Sequence, residues 1–218
     1  MYIMKEEKRF IMRIAYFGGA FDPPHTGHLA EARAMLKRGA AERVWFAPSY
    51  APPHKPHGGR ASFDDRLEML LRLVAGEPGM LVSAVERELA LSPSYTFRVL
   101  TELARRRPLD RFVLLIGGDS LRDLHRWYCG RDLAETFEVW TYPRPGMPVT
   151  ADDLAEVWPR PMAEKLASRV LPGALSGASS SEVRAALGAG RRTPDGALTA
   201  PVLEYIREKG LYGGERVI

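Results

Sequence analysis

The 218-residue sequence contains a single cysteine, Cys129. One cysteine excludes an internal disulfide framework and is typical of a protein in a reducing compartment such as the cytoplasm. No apolar run approaches the ~18 residues that a membrane-spanning helix requires. The first dozen residues lack an apolar stretch followed by a small-residue cleavage site, so we expect no signal peptide there. These absences predict a cytoplasmic protein without a membrane segment.

Charge of one sign is only slightly in excess, with 31 Lys and Arg against 27 Asp and Glu and a net charge of +4. A small positive excess suits partners that are polyanionic small molecules or nucleic acid, so it decides nothing alone. The one basic run, at 105–107, lies at a predicted helix end, where it complements the helix dipole. Nucleic-acid-binding proteins more often interleave basic and aromatic residues on one face. We therefore expect small-molecule partners, and neither nucleic acid nor a membrane.

Length and composition indicate one globular domain. The 45% hydrophobic and 27% charged fractions are ordinary for globular proteins, and the chain is long enough for one sizeable core. Residues 1–12 carry a charged cluster and no strand pattern, which leaves two interpretations open: a disordered extension, or a true start at Met4 or Met12. We predict a single domain at 13–218, of which about 176–218 form a helical C-terminal portion.

The alternation of apolar runs with helical periodicity predicts an α/β fold. Strand, helix and strand at this spacing form a βαβ unit, which requires a parallel sheet with right-handed crossovers. We therefore expect a Rossmann-like parallel sheet with helices on both faces and a small helical C-terminal portion. The predicted strands are 13–17, 42–47, 80–85, 111–116, 137–142 and a short 169–171. The predicted helices are 29–36, 63–74, 96–107, 180–187 and 201–208, with a poorly patterned insert at 151–165.

The segment GGAFDPPHTGHL at 18–29 joins the first predicted strand to the first predicted helix. Two glycines at the strand exit let a ligand approach the backbone, and the helix start offers free N–H groups and the positive end of the dipole. His25 and His28 are three residues apart and share one face of the first turn. The segment predicts a phosphate site with two imidazole donors. An Asx turn at a helix start, or half of a metal site, would give part of the same pattern.

This string resembles the (H/T)xGH signature of the nucleotidyltransferase superfamily, and its longer form is similar to that of bacterial nicotinate-nucleotide adenylyltransferases. Later segments agree with that family in order and spacing. They are PPHK at 52–55, PSYT at 93–96, GGDSL at 117–121 followed by Trp127-Tyr128, and SSSEVR at 179–184. The departures from the family pattern are conservative and lie at Ala20, Pro24, Ala178 and Ser181. The resemblance spans nearly the whole chain.

The resemblance implies transfer of AMP from ATP to nicotinate mononucleotide, which gives nicotinate adenine dinucleotide and pyrophosphate in NAD biosynthesis. A phosphomonoester is mostly dianionic near pH 7, because its second pKa is about 6, so the nucleophile needs little activation. We expect in-line attack without a general base or covalent intermediate, and catalysis by positioning and charge. Mg²⁺ is the expected cofactor, held mainly by the ATP phosphates and not by a protein metal site.

The resemblance also implies residue roles. The expected catalytic residues are His25, His28, Lys55 and Arg184. The expected ATP-binding residues are Gly18, Gly19, Ala20, Phe21, His25, His28, Gly117, Asp119, Ser180, Ser181 and Arg184. The residues expected to bind nicotinate mononucleotide are Ser94, Thr96, Trp127, Tyr128, His54, Lys55 and Arg144. In this scheme Asp119 accepts from a ribose hydroxyl and Trp127 stacks on the pyridine ring.

Several alternatives stay open at this point. The acceptor of the AMP group could be nicotinamide mononucleotide, or another phosphate such as phosphopantetheine. A protein of a different class, a non-catalytic nucleotide-binding or RNA-binding module, would also suit the basic composition. A zinc site built from the histidines fits no known ligand spacing. The oligomeric state, including a homo-oligomer, cannot be read from the pattern.

Overall fold

Five parallel strands form the centre of the structure, a computed structural model that describes residues 11–50, 61–143, 146, 148–172 and 179–213. The strands are β1 (Arg13–Gly19), β2 (Arg43–Pro48), β3 (Met80–Val82), β4 (Arg111–Gly117) and β5 (Glu138–Tyr142). Their order in the sheet is β3-β2-β1-β4-β5, and every neighbouring pair is parallel. The predicted parallel α/β sheet is therefore confirmed.

The described residues also form ten α-helices, which occupy most of the connections between strands. They are α1 (Thr26–Lys37), α2 (Phe63–Val74), α3 (Val85–Leu89), α4 (Thr96–Arg106), α5 (Gly118–Asp123), α6 (Gly130–Thr136), α7 (Ala151–Ala155), α8 (Arg160–Ala167), α9 (Ser180–Gly188) and α10 (Ala200–Lys209). Short 3₁₀ turns follow α5 and α10, at Leu124–Arg126 and Leu211–Gly213. None of the helices within the described ranges is long and apolar enough to cross a membrane.

The core consists of two layers, one on each face of the sheet. Successive strand residues point to opposite faces, so Ala15 and Phe17 enter one layer while Ile14 and Tyr16 enter the other. Helices α1, α2 and α10 contribute buried side chains to the first layer, and α4, α6 and α8 contribute to the second. Helices therefore cover both faces, as the near-continuous apolar strands predict.

Three segments differ in type or extent from their predictions, each for a local reason. The predicted strand 80–85 ends at Val82, because the chain turns into α3 directly after the last ladder bond, from the Ser83 N–H to the Phe46 carbonyl. The predicted strand 169–171 is reduced to an isolated bridge between Thr141 and Val170. The insert 151–165 contains α7 and most of α8, whose short helices give too few turns for a clear periodicity.

Some expectations concern residues outside the described ranges. Residues 1–10 of the predicted N-terminal extension fall there, and so do residues 176–178, with which the predicted C-terminal portion begins. The division into an extension and one domain stays a prediction. Helices α9 and α10 form the described part of the C-terminal portion, and α10 contributes buried residues to the same layer as α1 and α2.

We expect Leu115→Ala to lower the free energy of unfolding by about 2–5 kcal/mol, because it leaves a cavity at a fully buried position of the interior strand β4. Leu71→Ala on α2 is the matched control, since this leucine is 48% exposed. Urea denaturation of both variants gives the comparison. Equal losses for the two variants would contradict the assignment of Leu115 to the core.

Candidate active site

Two segments that carry predicted site residues follow the carboxyl ends of two adjacent strands. β1 and β4 are parallel neighbours, with Tyr16 opposite Leu114, and each ends in a glycine that precedes a functional segment. The segment 18–28, called here the signature turn, spans the end of β1 and the start of α1, and α5 follows β4. Ligands of open parallel sheets bind in the crevice outside such strand ends. The topology thus creates one shared crevice between the two segments.

A buried arginine and an aromatic ring stabilise the signature turn. Arg66 of α2 donates to the carbonyls of Ala20 and Ser49, both at 2.8 Å. Phe21 has a positive φ of 50°, an uncommon conformation for a residue with a side chain, and its ring packs on Phe17 with centroids 5.4 Å apart. Because that ring is buried, any contact of Phe21 with ATP must come from its backbone.

The two histidines of the signature turn form a stacked, hydrogen-bonded pair at the start of α1. Their ring centroids are 3.6 Å apart, and the backbone N–H of His25 donates to Nδ1 of His28 at 3.1 Å. An Nδ1 that accepts cannot carry the proton, so the neutral His28 ring is protonated at Nε2. The arrangement therefore fixes His28 Nε2–H as a donor, which suits a phosphate oxygen.

A buried carboxylate ties three distant segments together at the signature turn. Asp22 is 2% exposed, and its Oδ1 accepts from the Tyr212 hydroxyl at 2.6 Å and the Ala61 N–H at 3.2 Å. Burial and the hydrogen bond to Asp22 raise the pKa of Tyr212 far above its ordinary value. Sequence reasoning missed Tyr212, because no pattern links residues 190 positions apart.

The start of α9 meets the signature turn, as the resemblance implies. Ser179 is the N-cap and accepts from the Glu182 N–H, while the Ser180 hydroxyl donates to the Pro23 carbonyl at 2.9 Å. Arg184 donates to the Asp22 carbonyl and to the Ser181 hydroxyl. The structure therefore brings Ser180, Ser181 and Arg184 to the histidine pair's turn. Each of them bonds protein groups there.

A pocket of about 290 Å³ opens between the signature turn and the elements after β3 and β4. Four of the residues expected to bind the mononucleotide line it: Ser94, Thr96, Trp127 and Tyr128. Gly18 and Gly19 form its border with the signature turn. The lining residues that sequence reasoning missed are Tyr16, Ser49, Glu86, Tyr95, Leu114, Ile116 and Ser120.

The pocket contains a carboxylate, Glu86 of α3, that is 5% exposed and receives three hydrogen bonds. Tyr16 donates to its Oε1 at 2.7 Å, and Oε2 accepts from the Ser94 hydroxyl at 2.6 Å and the Tyr50 N–H at 3.0 Å. Burial raises the pKa of the Glu86 carboxyl, although these donors act in the opposite direction. The Ser94 hydroxyl is thus bonded to Glu86, which sequence reasoning did not foresee.

Stacked aromatic rings form one wall of the pocket. The Tyr95 and Tyr128 rings lie 4.5 Å apart at 13°, and the Arg98 guanidinium lies 4.9 Å from the Tyr128 centroid. The tight turn before α6 requires a glycine, because a Cβ at Gly130 would lie 1.9 Å from the Leu124 carbonyl oxygen. This turn fixes the backbone that carries Trp127 and Tyr128.

The remaining predicted residues divide into two groups. Gly117 ends β4, where a side chain would collide with the Asp119 carboxylate and the Tyr142 ring, and Asp119 is exposed in the first turn of α5. His54, Lys55 and Arg144 lie outside the described residues. Among the described residues, no group of three His, Cys, Asp or Glu side chains could hold a metal ion.

The parallel-sheet crevice with a histidine pair at a helix start defines a nucleotidyltransferase, and the cytidylyltransferase-like family matches residues 16–186. A "Probable nicotinate-nucleotide adenylyltransferase" of Gloeobacter violaceus is 37% identical, covering 92% of this chain and 96% of that protein. The nicotinate-nucleotide adenylyltransferase of Bacillus subtilis (strain 168) is 36% identical, over 63% of this chain and 72% of that protein. The chain belongs to the nicotinate-nucleotide adenylyltransferase family.

A solved structure has the same fold. Plasmodium falciparum nicotinic acid mononucleotide adenylyltransferase, complexed with NaAD, aligns with a TM-score of 0.76 and 19% identity. The alignment covers 94% of this chain and 98% of that one. At this identity the likeness supports the fold, and the fold class predicted from the sequence is confirmed.

We expect Tyr212→Phe to lower the free energy of unfolding by about 1–3 kcal/mol, because the buried Asp22 carboxylate loses a donor while the ring remains. Tyr205→Phe is the matched control, since it removes a hydroxyl–carboxylate bond to the more exposed Asp65. Urea denaturation measures both losses. A loss in Tyr212→Phe no larger than the loss in the control would contradict the structural role given to Asp22.

Proposed function

We propose that the protein transfers the AMP group of ATP to nicotinate mononucleotide, giving nicotinate adenine dinucleotide and pyrophosphate in NAD biosynthesis. One observation carries the proposal: the pocket lined by Thr96, Trp127 and Tyr128 borders the signature turn through Gly18 and Gly19. An acceptor in the pocket would present its phosphate to a triphosphate bound at that turn. Family membership supports the same reaction.

The triphosphate site combines backbone and side-chain donors. The backbone at 18–21 lies beside the α-phosphate, and the two histidines donate to triphosphate oxygens. Ser180, Ser181 and the N–H groups at the start of α9 bind the β- and γ-phosphates, which are favoured at the positive end of the helix dipole. Arg184 presents a planar fork of donors to the same phosphates. Its bond to the Asp22 carbonyl supports this role, because it holds the guanidinium at the signature turn.

The reaction is a single in-line displacement. A phosphate oxygen of the mononucleotide attacks the α-phosphorus, and the bond from that phosphorus to the oxygen bridging to the β-phosphorus breaks. The bond's electron pair leaves with pyrophosphate, so no proton transfer and no covalent enzyme intermediate is required. The site accelerates the step by alignment and by donors directed at the oxygens that gain charge.

The acceptor's ring occupies the aromatic pocket. Trp127 offers a flat indole face for stacking, and the Thr96 hydroxyl with the Tyr128 backbone binds the carboxylate of the ring. Asp119, beyond the end of β4, accepts from a ribose hydroxyl of the adenosine. His54, Lys55 and Arg144 supply further positive charge or donors to the phosphates in this proposal, which for these three depends on the resemblance alone.

Mg²⁺ enters with ATP in this proposal. A hard cation of this kind keeps several waters and binds phosphate oxygens, and its ligands are proposed to be the triphosphate and water. The ion screens charge between the two anionic substrates. We place the reaction in the cytoplasm, where ATP is available and a single thiol stays reduced.

The proposal predicts pyrophosphate release from Mg-ATP with nicotinate mononucleotide, compared in parallel assays with nicotinamide mononucleotide and phosphopantetheine. The nicotinate form should be preferred, because backbone and hydroxyl donors suit a carboxylate. Comparable rates with both pyridine nucleotides would remove the specificity for the acid. Release with phosphopantetheine alone would contradict the assigned pocket. Release with none of them would favour a non-catalytic binding protein.

We expect His25→Ala and His28→Ala each to lower kcat by about 100-fold or more, because each removes a donor to the charge that develops in the transition state. His125→Ala is the matched control, since its Nδ1 contacts the Arg122 carbonyl away from the pocket. Steady-state pyrophosphate release gives kcat and KM for all three. Equal activity of the His28→Ala variant and the control would contradict the role of the pair.

A further inference from the structure

We propose that Glu86 makes the acceptor pocket selective for a positively charged planar ring. A pyridine nucleotide in its oxidised form carries a cationic pyridinium ring, and its reduced dihydropyridine form is neutral. Glu86 would favour the first over the second. This inference rests on the proposed function, since it concerns the acceptor of that same reaction.

The described lining of the pocket carries a net negative charge. Its described lining consists of glycines, hydroxyl-bearing and aromatic side chains and two aliphatic ones, with a single formally charged residue, Glu86. Arg66 is close enough to interact with Glu86 electrostatically, but its guanidinium donates to the Ala20 and Ser49 carbonyls and does not line the pocket. The described wall therefore presents one negative charge to whatever ring enters.

Hydrogen bonds hold the Glu86 carboxylate in place. The N–H of Tyr50 can only donate, and the hydroxyls of Tyr16 and Ser94 are also within hydrogen-bond distance of the carboxylate. Donors that converge on both oxygens favour the ionised form of a carboxyl group and oppose the burial that raises the pKa of Glu86. They also fix its position, with Oε1 and Oε2 bonded to different segments of the chain. The charge is thus rigidly placed beside the pocket.

Trp127, which also lines the pocket, favours a cationic ring as well. The indole of Trp127 attracts a cation through the negative face of its ring system, an interaction that a neutral ring does not gain. In a partly desolvated pocket, charge interactions are stronger than in water. A carboxylate and an indole lining one cavity therefore form a site suited to a flat cation.

The acceptor's own carboxylate determines whether neutralising Glu86 weakens or strengthens binding. Glu86 attracts the pyridinium ring but repels a carboxylate, so neutralising it has opposite effects depending on which group faces it. If the ring faces Glu86, the loss of charge weakens binding of both nicotinate and nicotinamide mononucleotide. If the carboxylate faces Glu86, the same change strengthens binding of the nicotinate form alone.

The test is Glu86→Gln, which keeps the shape of the side chain and removes its charge. Glu88→Gln is the matched control, because it removes the same charge from an exposed position on the same helix. Steady-state pyrophosphate release gives KM for nicotinate mononucleotide, nicotinamide mononucleotide and the reduced, neutral-ring dihydronicotinate mononucleotide. Calorimetric titration of each acceptor repeats the comparison without turnover.

We expect Glu86→Gln to raise KM and Kd by about tenfold for both oxidised acceptors, and to leave KM for the reduced acceptor and for ATP unchanged. Glu88→Gln should change none of these values. Glu86→Asp keeps the charge and should retain the preference for the oxidised ring. If Glu86→Gln proves unstable in urea denaturation, Glu86→Asp still tests whether the charge determines the preference.

Three results would overturn the inference. An equal change for oxidised and reduced acceptors would mean that Glu86 only supports the shape of the pocket. Tighter binding of the nicotinate form in Glu86→Gln would mean that the residue faces the carboxylate. Unchanged affinity for every acceptor would mean that the charge does not reach the ring. If the unmodified protein releases no pyrophosphate, the proposed function fails, and the calorimetric ratio of the two ring forms still decides this inference.

Discussion

The polar groups of the signature turn must all find partners, and this requirement brings distant parts of the chain together. A buried carbonyl or carboxylate without a hydrogen bond costs about 1–3 kcal/mol. Arg66 of α2 satisfies the carbonyl of Ala20, and Arg184 of α9 satisfies that of Asp22. Tyr212, just beyond α10, bonds the Asp22 side chain. The backbone that is proposed to bind the phosphates is therefore held by three separate elements.

A second polar cluster, around Glu86, supports the other half of the crevice. The carboxylate of Glu86 accepts from Tyr16 of β1, from the Tyr50 N–H and from Ser94 before α4. The pocket wall is therefore fixed by hydrogen bonds between different parts of the chain. The proposed reaction joins these two halves: donors meet the phosphates at one end, and a negative charge lies beside the ring at the other. Such a distribution of charge aligns an acceptor whose phosphate is anionic and whose ring is cationic.

The sequence was sufficient for the five-stranded sheet, for five of the ten described helices and for the segments that meet at the candidate site, because these depend on periodicity and on short local motifs. Helix 63–74 was predicted to the residue from its apolar spacing. Val85 was wrongly assigned to a strand, because an apolar residue suits a buried strand and the buried face of the short helix α3 equally well. The partners Arg66, Glu86 and Tyr212 could not be found, because periodicity reports burial and not which polar groups meet. The bonds of Ser94 and the burial of the Phe21 ring were hidden for the same reason.

The central claim is that AMP passes directly from ATP to the acceptor, held by positioning and charge alone. The stereochemical course at the α-phosphorus tests this most directly, with ATP that carries a sulfur of known configuration on that phosphorus. A single in-line displacement predicts inversion of configuration in the dinucleotide product. Retention would require two displacements, and hence a covalent intermediate on the protein, and would contradict the account.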